Sequence, residues 1–310
     1  MKILVTGGKG YIGSITASAL EKNGQKVVIF DKKDGQDIQD INKLKQLLAT
    51  EKIEAVMHFA AYIEMGESMT NPQKYFENNF VGSQHLIQAM VDTKVKYLIF
   101  SSTAGVYGNP IRIPIKEDDR KEPENPYGQS KLMVEETLDF YDRIYGLKSI
   151  SLRYFNAAGA SPAGEGLGEN HQPESHLIPN LIKAILENRE FSLFGNDYPT
   201  KDGTCIRDYI HVLDLAEAHI LALKALISGH KSEVYNVGAG KGYSSLEVIK
   251  MVEKVSAKKL KLKIGPRRPG DANELVADPT KIQKDLGWRP KYSDLETIVR
   301  SAWQWHKKQL

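Results

Sequence analysis

The sequence predicts an α/β protein built on a doubly wound parallel sheet, and three observations carry that expectation. Short apolar runs alternate with longer amphipathic stretches from the first residues to about position 156. A glycine-rich turn stands between the first run and the first helix, and an aspartate closes the second run.

The first strand covers 2–6 and passes into Gly7-Gly8-Lys9-Gly10-Tyr11-Ile12-Gly13, followed by a helix to about position 23. Gly8, Gly10 and Gly13 keep the G-x-G-x-x-G spacing, in which bare backbone approaches a pyrophosphate at a helix N-terminus. A strand over 26–30 ends at Asp31, where a carboxylate holds ribose hydroxyls and repels a 2′-phosphate. NAD is therefore the expected dinucleotide. Lys32 and Lys33 blur that preference, and they also read as a solvated turn. Only five residues separate Asp31 from Asp37, too few for a crossover helix and a third strand. The expected sheet is of the Rossmann type with its third strand truncated or missing, so that its edge lies closer to the adenine.

Asp40 caps a helix carrying Leu44, Leu47 and Leu48. A buried strand over 54–61 leads into a loop over 62–68, and Asn71-Pro72 opens a long helix reaching about position 92. The strand over 96–102 ends in Ser101-Ser102-Thr103, hydroxyls at the edge where doubly wound sheets bind ligands. Pro123 and Pro126 precede a helix that stops at Gly146. On it Tyr127 and Lys131 share one face. An ammonium beside a phenol favours the phenolate, which gives a proton acceptor for a sugar hydroxyl near neutral pH. Tyr-x-x-x-Lys alone recurs by chance and gains weight only from its surroundings. A strand over 149–156 completes the alternation.

From 157 to 174 the chain is rich in Gly, Ala and Pro and reads as a boundary. Helices are expected over 177–187, 214–228, 244–255, 279–286 and 295–306. Ser-x-x-Glu capping boxes open two of them, at Ser244/Glu247 and Ser293/Glu296. Short strands are expected over 191–194, 234–237 and 260–264. The division is a dinucleotide-binding domain over 1–158 and a smaller α+β substrate lobe over 159–310, with 207–240 returning to the first.

A formal charge of +3 on 310 residues gives no reason to expect nucleic acid or a membrane surface as partner. No apolar run approaches the ~20 residues of a membrane span. Cys205 is the only cysteine, which excludes an intrachain disulfide and a cysteine-based metal cluster. No metal site is expected, and a cytoplasmic setting fits best.

The glycine loop, Thr103 after a strand and the Tyr127/Lys131 pair together resemble the extended short-chain dehydrogenase/reductase family. The stretches 152–160 (Leu-Arg-Tyr-Phe-Asn-Ala-Ala-Gly-Ala) and 194–211 (Phe-Gly-Asn-Asp-Tyr-Pro-Thr-Lys-Asp-Gly-Thr-Cys-Ile-Arg-Asp-Tyr-Ile-His) narrow the resemblance to its UDP-glucose 4-epimerases. It covers essentially the whole chain apart from the shortened 31–37 region.

The resemblance implies bound NAD on Gly7, Gly10, Tyr11, Ile12, Gly13 and Asp31, with Asp37 and Ile38 on the adenine side and Phe59, Ala60, Ala61 and Asn79 along its middle. It implies Tyr127 as acid/base, Lys131 on the nicotinamide ribose while lowering the tyrosine pKa, and Thr103 holding the hydroxyl hydrogen. Asn156, His176, Leu177, Phe194, Arg207, Arg268 and Asp271 correspond to the UDP-sugar set, and a homodimer is implied. Tyr154 corresponds to a nicotinamide contact, though it also reads as a core aromatic. His176 offers either backbone or imidazole, Arg207 could instead pair with Asp208, and His211 reads as a packing histidine. Leu275 falls where relatives carry either a large aromatic or a smaller residue, which leaves N-acetylated UDP-sugars and UDP-pentoses open. Ala104 and Gly105 stand where a related dehydratase carries an acid and a base, which disfavours that chemistry.

Overall fold

The computed structural model describes residues 1–162, 166–267 and 272–309. In the first half β1 (Lys2–Thr6), α1 (Tyr11–Lys22), β2 (Lys26–Phe30), α2 (Ile41–Thr50) and β3 (Ala55–His58) follow in order. Then come α3 (Met65–Thr70), α4 (Pro72–Tyr75), α5 (Gly82–Asp92), β4 (Tyr97–Thr103), α6 (Pro126–Tyr145), β5 (Lys148–Tyr154) and β6 (Asn156–Ala158). The second half carries α7 (Leu177–Leu186), β7 (Glu190–Phe194), β8 (Ile206–His211), α8 (Val212–Ile227), β9 (Glu233–Val237) and β10 (Gly242–Ser244). It ends with α9 (Ser245–Ser256), β11 (Lys261–Gly265), β12 (Glu274–Leu275), α10 (Thr280–Leu286) and α11 (Leu295–Lys307).

Six strands pair in the order β2-β1-β3-β4-β5-β9, every pair parallel. As the short 31–37 connection predicts, β2 is the edge, and a 3-10 turn over Lys32–Asp34 replaces the third strand. Both faces of the sheet are covered, because successive residues of a strand point to opposite sides. Ile3 and Val5 join Leu20, Leu215 and Leu223 on one face, while Leu4 joins Leu44, Leu48, Leu86 and Leu138 on the other. The smaller lobe buries Ile178, Leu181, Val248, Val252, Ile298 and Val299 between α7, α9 and α11. Its sheet has β8 between β10 and β12, with β6 also on β8, and β7 pairs with β11. Of 207–240, α8 and β9 lie with the main sheet and β8 with the smaller one.

Four local readings differ from expectation. Part of the loop expected over 62–68 instead belongs to α3 (Met65–Thr70), whose Ser68 hydroxyl donates to the Met65 carbonyl. The helix opened by Asn71, whose side chain caps Lys74 N–H, passes through a π-helical stretch, Phe76–Val81, before α5. Asp294, not Ser293, caps α11 by accepting from Thr297 N–H, and the Ser293 hydroxyl donates to Asp214 instead. The strand β8 was not expected, since Arg and Asp interrupt its apolar run. The box at Ser244/Glu247 forms in full.

Three buried histidines carry a stability consequence. His58 bonds Thr6 and Ser83, His211 lies at the start of α8, and His219 lies within it. Burial lowers them to about 3, about 4 and about 4. Below their ordinary value of 6.5 the unfolded chain takes up protons that the folded chain refuses, so stability falls as pH drops. Asp208, pushed up to about 6 by burial, works in the opposite direction between that value and 3.8. Taken by themselves, these four groups, three against one, contribute a loss of ~2–3 kcal/mol per pH unit between pH ~6 and ~4. Urea unfolding at pH 6 and pH 5 measures it, and equal stability at the two values would contradict the assignment.

Candidate active site

The carboxyl ends of the parallel strands converge where strand order reverses between β1 and β3, the place at which open α/β sheets bind ligands. A cavity of about 770 Å³ opens there. Gly7, Gly10, Tyr11, Ile12, Gly13, Asp31, Asp37, Ile38, Phe59, Ala60 and Ala61 line its dinucleotide side. Thr103, Tyr127, Lys131 and Tyr154 line its middle, and Asn156, His176 and Arg207 its far wall.

Three expected residues do not face it. Asn79 spends its amide on the backbone N–H and carbonyl of Tyr62 and so holds the loop that does. Leu177 packs into the lobe core at the start of α7. Phe194 ends β7, 37% exposed. Arg268 and Asp271 lie outside the described residues.

Two glycines of the loop leave no room for a side chain: a Cβ on Gly7 would stand 2.6 Å from Ala60 N. A Cβ on Gly13 would stand 2.3 Å from the Gly7 carbonyl oxygen, so glycine there lets the start of α1 pack directly on the turn. Asp31 is oriented by two backbone donors, Lys9 N–H and Lys33 N–H, each at 2.8 Å. Each carboxylate oxygen keeps a further acceptor position for a ribose hydroxyl. Lys32, rather than staying a free cation, pairs with Asp37 at 2.9 Å.

Tyr127 is placed by the start of α6. Asn125 caps it by accepting from Gly128 N–H at 2.9 Å, and Pro126 fixes the first turn. A Cβ on Gly128 would meet the Gly105 carbonyl at 2.7 Å, so the helix seats directly on the turn after β4. That contact brings Tyr127 to the same cavity wall as Thr103, whose side chain lowers the Tyr127 pKa. The Thr103 oxygen accepts from Gly105 N–H at 3.0 Å, which leaves its own proton to donate.

The electrostatics differ from expectation. Burial raises the Tyr127 pKa, the Thr103 side chain offsets part of the rise, and Glu64 adds to it. Lys131 is not among the groups that move it. Burial brings Lys131 itself down to about 7, against an opposing pull from Glu135, and its ammonium donates to the Ser101 carbonyl at 2.8 Å.

Tyr154 faces the cavity through an arrangement that the sequence reading missed. Its hydroxyl bonds Nε2 of His219, whose Nδ1 is tied to the Leu215 carbonyl at 2.8 Å. The carbonyl requires Nδ1–H, so Nε2 is bare and Tyr154 donates. Burial keeps that phenol well above its ordinary value. His219 also stacks on Phe59, with ring centroids 4.7 Å apart, and so props two cavity walls. Its only signal in the sequence is a histidine on an otherwise apolar helix face.

On the far wall Asn156 donates to the Asp208 carbonyl at 3.2 Å and Arg207 to the Ala272 carbonyl at 2.8 Å. The Asp208 carboxylate accepts from Ala239, Gly240 and Ala277 N–H. His176 contacts Glu174 at 2.9 Å, and partnership with Glu174 and Glu169 raises its pKa against burial. His171 is raised likewise by Glu169. Glu169 and His171, also missed from sequence, line the cavity beside it. His211 bonds Leu213 N–H and Ser301, the packing role read for it.

Comparison with known proteins agrees with this geometry. Residues 3–238 match the model of the NAD dependent epimerase/dehydratase family. The chain is 47% identical to a UDP-glucose 4-epimerase of Lactobacillus helveticus, over 99% of this chain and 97% of that protein. It is 46% identical to the one of Halalkalibacterium halodurans, over 99% and 96%. Among solved structures, the UDP-glucose 4-epimerase of Brucella ovis in complex with NAD superposes with a TM-score of 0.93 at 41% identity, covering 97% of each chain. That of Bifidobacterium longum with NAD+ and UDP gives 0.92 at 36% identity, over 99% of this chain and 98% of that one. The parallel sheet, the glycine cradle and these full-length matches lead to one assignment: the chain belongs to the NAD-dependent epimerase/dehydratase family.

Proposed function

We propose that the protein interconverts UDP-glucose and UDP-galactose by transient oxidation at C4 of the sugar, with NAD held in the cavity. The observation that carries this reading is that Tyr127, Thr103 and Lys131 line one cavity between a dinucleotide cradle and a wall bearing Asn156, His176 and Arg207. The cradle fits NAD: its glycines leave bare backbone at the start of α1, and Asp31 is aimed by backbone donors at the ribose position.

Tyr127 takes the proton of the sugar 4-hydroxyl and later gives it back. Thr103 donates to the Tyr127 oxygen and so favours the phenolate. When bound, NAD supplies the hydride acceptor and, through its cationic nicotinamide, a field that further favours the phenolate. Lys131 holds the nicotinamide ribose from the floor of the site, and Tyr154 and Phe59 wall the ring. Asn156, His176 and Arg207 retain the UDP group, Arg207 through a guanidinium suited to a diphosphate. Holding the nucleotide firmly and the hexose loosely lets the 4-keto sugar present its other face. Tag-free protein supplied with NAD and UDP-galactose is expected to form UDP-glucose, and no product with cofactor-saturated protein would refute the reading.

A wider substrate range is a second reading. Leu275 lines the cavity, and leucine leaves more room than a tyrosine would beside the sugar C2 group. A relative of 41% identity and TM-score 0.84, from Campylobacter jejuni, is a UDP-Glc/GlcNAc 4-epimerase. A panel of UDP-hexoses, UDP-N-acetylhexosamines and UDP-pentoses decides it.

The reading includes a homodimer and a cytoplasmic setting. Phe140, Ile144 and Tyr145 stand 56%, 66% and 57% exposed along α6, an apolar face on a surface helix. A second copy packing α5 and α6 against its own would cover it. Phe140→Asp with Ile144→Asp is expected to halve the mass seen by light scattering; an unchanged mass would place the interface elsewhere. Among the described residues no helix is long and apolar enough to cross a membrane. The lone Cys205 suits a reducing compartment.

A further inference from the structure

We infer that Glu169, His171 and His176 form a binding site for a borderline transition-metal cation, with Zn²⁺ and Co²⁺ as the fitting ions, on the wall of the cavity. The site stands on local geometry; only its effect on turnover rests on the function proposed above.

One donor atom from each residue lies within 4.8 Å of the other two. The Glu169 carboxylate is shared: Oε1 faces His171 Nδ1 at 2.5 Å, and Oε2 faces His176 Nδ1 at 3.7 Å. Ligands at ~2.0–2.1 Å from a tetrahedral zinc stand ~3.3–3.4 Å from one another. The present spacings straddle that value, so closing the set takes side-chain rotation rather than a change of fold.

The supports differ in stiffness in a way that suits a metal. The Glu169 side chain is buried, and its carbonyl accepts from Trp305 Nε1 at 2.8 Å, which pins one ligand to α11. The side chains of His171 and His176 are 38% and 39% exposed and can turn onto an ion. Glu174 adds a separate observation. It contacts His176 through Oε1, while its Oε2 is buried without a hydrogen bond and meets Lys183 only as a long ion pair at 3.7 Å. A second carboxylate with an unused oxygen is thus available to orient or join the set.

Two imidazoles and one carboxylate select the ion class. Magnesium and calcium take oxygen ligands almost throughout, whereas zinc and cobalt accept this mixture. All three residues line the cavity, so the remaining coordination position opens toward it. An ion there would engage His176, one of the groups proposed to hold UDP. Zn²⁺ is therefore expected to compete with the nucleotide sugar.

The test is a titration of tag-free protein with Co²⁺ alone in mildly alkaline buffer, followed by visible absorption. One equivalent giving the intense bands of four-coordinate cobalt, displaced by Zn²⁺, is the expected result. His171→Ala and Glu169→Gln should each weaken Co²⁺ binding by at least ~10-fold. His171 is exposed enough for its replacement to leave the fold intact, so loss there cannot be blamed on unfolding. No saturable absorption, or the same affinity in both variants, overturns the site. In steady state Zn²⁺ should raise the apparent KM for UDP-galactose in the unmodified protein and lose that effect in His171→Ala. Cobalt binding with no effect on KM upholds the site and overturns only its link to substrate.

Discussion

Tyr127→Phe is expected to lower kcat by ~10²–10⁴-fold, the span that a positioned general base contributes. The ring, and with it the seating of α6 against Gly105, is kept, so UDP affinity measured by calorimetry should hardly change. Two cavity neighbours are poorly placed to take over the proton. Tyr154 has its own hydroxyl committed to His219 and a pKa held well up by burial. Lys131, though brought down to about 7, turns its amine to the Ser101 carbonyl. Turnover equal to the unmodified enzyme would remove Tyr127 from the mechanism. Thr103→Val provides a companion test. It removes the hydroxyl whose influence lowers the Tyr127 pKa, so the rising limb of the rate against pH should move to higher pH.

Which parts of this site could be read from residues alone follows from how local their causes are. Gly13 and Asp31 are legible because a strand, a tight turn and a helix fix them within a few dozen residues of each other. Missing chain between Asp31 and Asp37 is a matter of length, and it correctly leaves β2 at the sheet edge. Tyr127 and Lys131 are legible as one helical face. Their electrostatics were not, because the Tyr127 pKa answers to burial, to Thr103 at the end of β4 and to Glu64 before α3. His219 escaped notice for a similar reason: it acts on Tyr154 across 65 residues, and no local pattern announces such a pair. Asn79 was placed in the right neighbourhood, but its amide is used on the Tyr62 backbone, a choice set by the π-helical stretch in which it lies. Phe194 and Leu177 rest on resemblance alone and are not among the described residues that line the cavity.

Glu135→Gln is expected to cost ~3–5 kcal/mol, because it leaves a buried guanidinium without its counter-charge. Arg153 and Glu135 are 3% and 8% exposed, and they meet through Nη2–Oε2 at 2.6 Å and Nε–Oε1 at 3.0 Å. Arg153 also donates to the Tyr107 hydroxyl at 2.7 Å and to the Glu117 carbonyl at 3.0 Å, while Ser102 donates to Glu135. The pair thereby ties α6 to β4 and β5, one helical turn beyond Lys131. For a chain of this length the loss corresponds to a fall in Tm of ~5–8 °C. Glu135→Leu with Arg153→Met removes both charges and should recover much of it, since burying an ion pair gains little over apolar packing of similar volume. If the single variant melts with the unmodified protein, the pair is not held dry. The same substitution has a reading in the site: Glu135 is the charge that keeps Lys131 from falling further, so Glu135→Gln should make that amine more neutral at a given pH. The stability of α6 and the protonation of the lysine it presents therefore depend on one buried carboxylate.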